Sequence, residues 1–274
     1  MHPQIAAFAR LATGTQGATR VIEGQATHLG RTMHAISYDE LHDEVVVPQP
    51  FAQAILTFRG SASGEEAPIR IIQGPRTQLR HPDKLAIDPV HDEIFVPDRD
   101  AILVFPREAE GDVAPIRVIR GPDTQLGAWS VAVDPVRDLL VVAGSQRRDG
   151  EERWHLLIFN RTDEGNVKPR AVIAGPRSGI KSLENIRVYP PGGWIVVADS
   201  GGEEPVSRGA YVGVWSIFDN GDVPPRWKVG EPGVLKQPRG VALDPEAKTV
   251  IVSDKYLNAI LTYSLPEMFE STDN

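Results

Sequence analysis

One sequence pattern is repeated five times along this chain of 274 residues. Each copy contains four short apolar runs, and the residue that follows the first run, a glycine in four of the five copies, marks the period. A period of about 50 residues with four apolar runs is typical of a β-propeller, in which each repeat forms one blade. The sequence therefore predicts an all-β fold, a five-bladed propeller of four-stranded antiparallel blades in one domain, residues 1–274. The marker residues are Gly24, Gly74, Gly121, Gly175 and, in the fifth copy, Glu231.

The two ends of the chain predict how the ring closes. Residues 19–22 have the pattern of an outermost strand but precede the first innermost strand, and the last repeat stops after its third strand, residues 259–263. We therefore expect the N-terminal outer strand to close the ring by completing the last blade. Residues 5–10 resemble one more third strand, which five blades do not need. A six-bladed propeller is the alternative.

Composition excludes several classes of function. The net charge is −8 and the basic residues are scattered, so we expect no nucleic-acid partner and no anionic membrane surface. The absence of cysteine excludes a thiol nucleophile and a thiolate metal site. The N-terminus shows no targeting segment, which predicts a cytoplasmic protein unless an export signal has been removed.

The residue pattern of the repeat resembles that of a known family. Residues 74–79 read Gly-Pro-x-Thr-x-Leu, residues 86–89 read Ala-x-Asp-Pro, and residues 102–105 read Ile-Leu-x-Phe. These motifs resemble the repeats of bacterial NHL-type propellers and, more distantly, gluconolactonase-like propellers. The resemblance implies a propeller fold. Such propellers include protein-binding and RNA-binding modules, and related six-bladed ones include lyases and calcium-dependent hydrolases of lactones and organophosphates. This chain departs from them in having five repeats and no clear set of inner asparagine and acidic ligands.

The position just before each innermost strand differs in every copy, whereas the framework around it barely changes. Loops from all blades of a propeller converge at this entrance to the central channel, so the divergence predicts a ligand site there. The alternative is that these are solvated loop residues that vary freely. The five residues are His34, Asp83, Trp129, Glu184 and Arg239, and Lys84 and Asn185 follow two of them.

Arg187 is much larger than the residues at the equivalent position of the other four blades. The equivalent residues on the other innermost strands are small: Ser37, Ala86, Ala132 and Ala242. An arginine on this crowded side is expected to be buried and to need a carboxylate or another anion, because an unpaired buried charge is costly. Either Glu184 or Asp83 forms a structural salt bridge with it, or Arg187 binds an anionic ligand.

Three acidic residues recur directly after the second strand, on the entrance side. They are Asp98, Asp199 and Asp254. With Glu184 and Asn185 they offer the oxygen ligands that a divalent cation such as calcium prefers. The alternative is that a residue repeated in three blades serves the turn of its own repeat.

Two functions follow from these residues. The first is a hydrolase of a lactone, ester or phosphoester, with His34 or Glu184 as general base and Lys84, Arg187 or a cation stabilising negative charge. In this hypothesis a small, anionic molecule is bound by Asp83, Trp129, Asn185 and Arg239. The second is a non-catalytic propeller that binds a protein or ligand on the same face through the aromatic residues Trp129, Phe51, Trp154 and Tyr211. The sequence contains no Gly-x-Ser-x-Gly elbow, phosphate-binding loop or dinucleotide motif.

Overall fold

The computed structural model describes residues 3–202, 208–230 and 232–270 of the chain. Glu231, the fifth marker of the repeat, lies outside these residues. The chain divides into two compact units: Met1–Asp98 with Leu103–Ile116, and Arg99–Ile102 with Arg117–Asn274. Within the described residues, no helix is long and apolar enough to cross a membrane.

The first two blades follow a short N-terminal strand pair. The pair consists of β1 (Gln4–Ala7) and β2 (Arg20–Glu23). Blade 1 contains β3 (Ser37–Asp39), β4 (Glu44–Gln49), β5 (Ala54–Arg59) and β6 (Arg70–Gln73). Blade 2 contains β7 (Ala86–Asp88), β8 (Glu93–Asp98), β9 (Ala101–Pro106) and β10 (Arg117–Arg120).

Three further blades complete the chain. Blade 3 contains β11 (Ala128–Asp134), β12 (Leu139–Arg148), β13 (Glu151–Asn160) and β14 (Ala171–Ile173). Blade 4 contains β15 (Leu183–Tyr189), β16 (Trp194–Asp199), β17 (Tyr211–Ser216) and β18 (Trp227–Val229). Blade 5 contains β19 (Pro238–Asp244), β20 (Thr249–Asp254) and β21 (Ala259–Ser264), followed by the helix α1 (Pro266–Glu270).

The strand order within the sheets confirms the predicted fold class, a five-bladed β-propeller. Blades 1 to 4 are four-stranded antiparallel sheets in which each strand pairs with the next one along the chain. Blade 5 has three strands in the described residues. The second and third strands of blades 1, 2 and 4 are buried along nearly their whole length, because both of their faces are covered, and they consist mainly of apolar residues.

The residues expected to close the ring form β2, which has a partner within the first unit. Strand β2 pairs antiparallel with β1, from Gln4 opposite Glu23 to Ala7 opposite Arg20. Closure by pairing beside residues 259–263 stays a prediction. The extra third-strand pattern near the N-terminus therefore forms a real strand. A partner only a short loop away costs much less chain entropy than one at the far end of the sequence.

A second set of glycines, in the loops before the outermost strands, holds neighbouring blades together. In blades 1 to 4 a glycine in the loop before the outermost strand makes two backbone hydrogen bonds to the preceding outer strand. Gly111, for example, donates to the Ile71 carbonyl over 2.7 Å and accepts from the Gln73 amide over 3.1 Å. The same pair of bonds recurs at Gly64, Gly165 and Gly221.

The residue after this loop glycine explains why the marker itself is glycine. Asp112 accepts a 2.7 Å hydrogen bond from the amide of Arg76, two residues after Gly74. Gly74 has a φ of 135°, and a Cβ there would lie 2.5 Å from the Asp112 carboxyl carbon. Only glycine tolerates this conformation and this close approach. The same close approach occurs at three other marker glycines: Gly24 contacts Glu65, Gly121 contacts Asn166, and Gly175 contacts Asp222.

A buried hydroxyl completes each of these junctions. Thr124 is fully buried; its Oγ1 donates to the Gly121 carbonyl over 2.6 Å and accepts from the Leu126 amide over 3.3 Å. Thr27 and Thr77 make the same two bonds, and Ser178 replaces threonine in the fourth junction. The threonine of the Gly-Pro-x-Thr motif is therefore a structural residue.

We expect Thr124→Val to lower the free energy of unfolding by about 1–3 kcal/mol, because it leaves a buried carbonyl and a buried amide without their hydroxyl partner. Urea denaturation followed by circular dichroism measures the difference. Thr124→Ser is the matched control, because the chain itself uses Ser178 at the equivalent place, and it should cost clearly less. Equal losses in the two variants would contradict the role of the hydroxyl.

Candidate functional site

The divergent entrance positions of blades 3, 4 and 5 lie at β-bulges. The register between the first and second strands shifts between Ala128 and Ser130, between Leu183 and Asn185, and between Pro238 and Gly240. The residue inside each bulge is one of the predicted site residues: Trp129, Glu184 and Arg239. A bulge redirects a side chain and is frequent near binding sites. The three strands β11, β15 and β19 lie side by side within the second unit.

Glu184 and Arg239 form a salt bridge between neighbouring blades. Arg239 Nη1 lies 2.5 Å from Glu184 Oε2, and the Ser200 hydroxyl is 3.3 Å from Glu184 Oε1. The Glu184 side chain is buried, whereas that of Arg239 is about one third exposed. Asn185 adds a second link, because its Oδ1 accepts a 3.3 Å hydrogen bond from the Val241 amide. Three of the predicted residues are therefore brought together here.

A second cluster lies in the first unit. His34 Nδ1 is 2.7 Å from Asp83 Oδ1, which joins the entrance loops of blades 1 and 2. The Asp83 side chain is 8% exposed and that of His34 is 53% exposed, so a buried carboxylate orients a solvent-accessible imidazole. Lys84, the next residue, is also buried. His34 lines a cavity of about 340 Å³ together with Ile5, Met33 and Ile36.

The opposite face of the first unit has two His–Asp contacts of a different kind. His42 Nδ1 lies 2.9 Å from Asp39 Oδ2, and His91 Nδ1 lies 2.7 Å from Asp88 Oδ2. Both aspartates also accept backbone hydrogen bonds within the same turn, and in blade 3 Arg137 replaces the histidine. Each aspartate therefore forms an Asx-turn that recurs in the repeat, and its contact with histidine belongs to that turn. The contact of His34 with Asp83 instead joins two blades.

Arg187 occupies the position that the sequence alignment gave it. It pairs with Val196 in the middle of the second strand, as Ala132 pairs with Val141 and Ala242 with Ile251. Burial lowers the pKa of Arg187, because desolvation disfavours the charged guanidinium. Its Nη1 donates to the Ile186 carbonyl over 3.2 Å. Glu184, one of its two expected partners, is instead bound to Arg239.

The three recurrent aspartates bind backbone amides. Asp98 accepts from Arg80 and His81, and Asp254 accepts from Lys236 and Gln237. Asp199 accepts from three amides, those of Lys181, Ser182 and Gly201. Desolvation raises the pKa of Asp199, and these hydrogen bonds oppose the rise. Among the described residues no group of three or more histidine, cysteine or acidic side chains is arranged to hold a metal ion. The calcium site stays a prediction, and the turn role that was its alternative has direct geometric support.

The four aromatic residues expected to bind a partner differ in exposure. Phe51 is 77% exposed and lies edge-on to His81, with ring centroids 5.7 Å apart. Trp129 and Trp154 are half-buried. Tyr211 is buried; Lys228 lies over its ring, and its hydroxyl donates to the Gly179 carbonyl. Burial raises the pKa of Tyr211 through desolvation. Tyr211 is therefore a core residue and cannot anchor a partner.

Blade 3 has a long hairpin that the sequence interpretation missed. Its strands β12 and β13 each contain 10 residues, against 6 in the corresponding strands of the other blades. The hairpin walls a groove of about 780 Å³, which is also lined by Trp154, Arg153, Lys181 and Gly202. The hairpin tip is formed by the polar run at 145–153, which contains no apolar residue and therefore lacks the pattern of a half-buried strand. Its opposite charges face each other, Arg147 opposite Glu152, and extend the ladder.

Comparison with known proteins supports the fold. No protein family and no curated protein matches the chain. A functionally unknown protein from Desulfotomaculum acetoxidans matches with a TM-score of 0.60 at 15% identity, over 100% of this chain and 78% of that one. Kuenenia stuttgartiensis hydrazine synthase gives 0.52 at 13% identity, over 81% and 55%. A chain of a nidogen/laminin complex gives 0.55 at 16% identity, over 86% and 81%. These likenesses show a β-propeller fold, and the kinship with NHL-type and gluconolactonase-like propellers stays a prediction.

Arg239→Ala should destabilise the protein by roughly 1–3 kcal/mol, because it leaves the Glu184 carboxylate buried without its guanidinium. Adding Glu184→Gln removes the buried charge and should recover most of this loss. Urea denaturation of both single variants and the double variant measures the coupling. A double variant that loses the sum of the two single effects would show that the pair contributes nothing to stability.

Arg187→Ala should lower the free energy of unfolding more than Arg187→Met does, because alanine removes the packing of a long, half-buried side chain that methionine largely keeps. Arg187→Met, which keeps much of the side-chain volume, separates the effect of charge from that of packing. Thermal denaturation of the three proteins measures the effect. A loss in Arg187→Ala that Arg187→Met does not share would assign the contribution to packing, and equal losses would contradict the expectation.

Proposed function

We propose that the protein is a small-molecule hydrolase that acts at the entrance face and cleaves a lactone, ester or phosphoester with His34 as general base. The observation that supports this proposal is the contact of His34 Nδ1 with the buried Asp83 carboxylate. A carboxylate that accepts from Nδ1 favours the tautomer whose Nε2 carries a lone pair. The imidazole is half exposed, so a water molecule and a substrate can reach Nε2.

The chemical steps need one base and one source of positive charge. Nε2 of His34 removes a proton from water while the water oxygen attacks the carbonyl carbon or phosphorus. Negative charge then develops on the substrate oxygen, and we assign its stabilisation to Lys84, which follows Asp83 directly. When the bond to the leaving alkoxide breaks, the imidazolium returns the proton to it. Asp83 holds the ring and stabilises the imidazolium without taking the proton.

The other predicted residues take different places in this proposal. Glu184 is a weaker candidate for the base, because both of its oxygens already contact Arg239 and Ser200. Within the second unit, Trp129 and Asn185 lie at the bulged starts of β11 and β15, and we propose that they contact a ligand of that unit. Arg187 is proposed as a binding residue for an anionic group.

A second candidate function is the binding of a protein on the same face without catalysis. Phe51 supports it, because an aromatic side chain that is 77% exposed beside the entrance is a suitable anchor. One structural neighbour belongs to a nidogen/laminin complex, which associates this fold with protein binding in that case. Phe51→Ala separates the two candidates: it should weaken binding of a protein partner and leave turnover of a small substrate unchanged.

His34→Ala should lower turnover by about a hundredfold or more, since it removes the general base. The measurement is a screen of ester, lactone and phosphotriester substrates, followed by kcat and KM on the best one, with and without a chelator. His91→Ala is the matched control, because it removes a histidine with the same contact to an aspartate on the opposite face. Loss of activity in the chelator arm alone would support the calcium hypothesis for Asp98, Asp199 and Asp254.

Two results would contradict the hydrolase proposal. The first is equal turnover in His34→Ala and the parent protein. The second is an equal loss in His34→Ala and His91→Ala, because the effect would then lie in stability. Asp83→Asn refines the test: it keeps the shape of the carboxyl group but favours the opposite tautomer, and so it should lower kcat much more than it changes KM.

A further inference from the structure

The hairpin of blade 3 extends beyond the outer strand of its own blade. Strands β12 and β13 meet at the two-residue turn Asp149-Gly150, whose φ values of 54° and 83° are those of a type I′ turn. The outer strand β14 pairs with Leu156, Leu157 and Ile158. Residues 152–155 of β13 therefore lie beyond β14, on the entrance side of the blade, and they form one wall of the groove of about 780 Å³.

Contacts within the hairpin fix this wall before any ligand binds. The Ser145 hydroxyl donates to Glu152 Oε1 over 2.6 Å, and Arg147 Nε donates to the Gly150 carbonyl over 3.3 Å. A surface that is ordered in advance loses less conformational entropy when a ligand binds to it. The extra residues of this hairpin are therefore suited to form part of a binding site.

The groove has an aromatic and aliphatic floor. Trp154 of the hairpin and Ile180 of the loop between blades 3 and 4 are half-buried, and both pack against the apolar core between these blades. The volume lies within the range of about 300–1,000 Å³ that is typical of small-molecule sites. Every lining residue belongs to the second unit, and the apolar ones are Trp154, Val172, Ala174, Pro176 and Ile180.

Polar residues of the same groove both donate and accept hydrogen bonds. Glu152 offers carboxylate oxygens, which accept, whereas Arg153 and Lys181 offer N–H groups, which donate. Gln125 and Gln146 each offer a donor and an acceptor in one amide. A hydroxyl group of a ligand also donates and accepts at a single atom. A molecule with several hydroxyl groups therefore matches this lining.

Both cations of the groove already have a carboxylate nearby. Arg153 Nη2 lies 3.9 Å from Asp149 Oδ2. Desolvation raises the pKa of Asp199, and the positive charge of Lys181 is among the interactions that oppose this rise. An anionic ligand would compete with these two carboxylates, and a cationic ligand would be repelled by Arg153 and Lys181. The groove therefore favours an uncharged ligand.

We propose that this groove binds an uncharged saccharide, with one face of a sugar ring stacked on Trp154. A pyranose ring is apolar on the face formed by its C–H bonds and polar around its edge, where the hydroxyl groups lie. The C–H face shields exposed indole surface from water and is attracted by the negative π-face of the indole. The hydroxyl groups then bond to Gln146, Glu152 and Lys181. The site uses none of the residues of the proposed hydrolase and does not rest on that function.

The first test uses the parent chain and four uncharged disaccharides: maltose, cellobiose, lactose and N,N′-diacetylchitobiose. Proton–nitrogen NMR spectra resolve the indole N–H groups of the five tryptophans. The signal of Trp154 is assigned by its absence in Trp154→Phe. At least one disaccharide should shift this signal saturably. A saturable shift of the Trp129 signal without a shift at Trp154 would overturn the proposal, because the sugar would then bind at the start of β11.

Titration calorimetry of variants measures the contribution of each group. Trp154→Ala should weaken binding of the best disaccharide by about tenfold or more, because it removes the stacking surface. Glu152→Gln should weaken it by about threefold, because an amide oxygen is a weaker acceptor than a carboxylate oxygen. Phe51→Ala is the matched control, since it removes an exposed aromatic side chain from the first unit, and it should bind as the parent chain does.

Three further results would overturn the proposal. The first is the absence of saturable binding for all four disaccharides. The second is equal binding by the parent chain and a folded Trp154→Ala variant. The third is tighter binding of digalacturonate than of any uncharged disaccharide, because the ligand would then be an anion. If Trp154→Ala does not fold, Glu152→Gln, which changes an exposed side chain, and the Trp154 signal of the parent chain decide the question.

Discussion

Backbone hydrogen bonds at strand edges are the constraint on which the rest of this structure depends. A blade that is apolar on both faces can be buried only if its edges are also satisfied, because an unpaired buried amide or carbonyl costs as much as a lost hydrogen bond. The chain meets this requirement at each junction with one loop glycine, as Gly111 does for Ile71 and Gln73. The acidic or amide side chain that follows then satisfies the next turn, as Asp112 does for Arg76. The period of the sequence is therefore the period of these junctions.

The sequence predicted the strands that recur in every blade, but it did not predict the elements that occur only once. Five copies were enough to place the innermost strands correctly, so that Arg187 lies opposite Val196, as the alignment required. The partner of β2 occurs once in the chain, and no second copy existed to show that β1 would take it. The long hairpin of blade 3 is likewise unique to its blade. Its strands are held by charged pairs, and a search for apolar runs does not detect such pairs.

The candidate site shows the same division. The divergent positions Trp129, Glu184 and Arg239 coincide with bulges, which the sequence did not predict, and the ligand site expected at these positions stays a prediction. The divergence did not reveal which of them would pair, because pairing across blades depends on side-chain geometry rather than on the position in the repeat. The sequence offered Glu184 as a partner of Arg187, whereas the structure pairs Glu184 with Arg239. The bulges themselves have no sequence signal in this chain that differs from an ordinary strand start.

Aspartate serves two purposes in this fold, and the distinction separates structure from candidate chemistry. Where aspartate recurs, as Asp88 and Asp199 do, its oxygens accept several backbone amides, and it fixes a turn that every blade needs. Asp83 occurs in one blade only, and its contact with His34 joins blade 2 to blade 1. A carboxylate that is required by the repeat cannot be released for a metal or a substrate without loosening its turn. A carboxylate that joins two blades at the entrance can be used for catalysis at a smaller cost to the fold. A test of activity should therefore begin with the histidine beside Asp83 rather than with those beside Asp39 and Asp88.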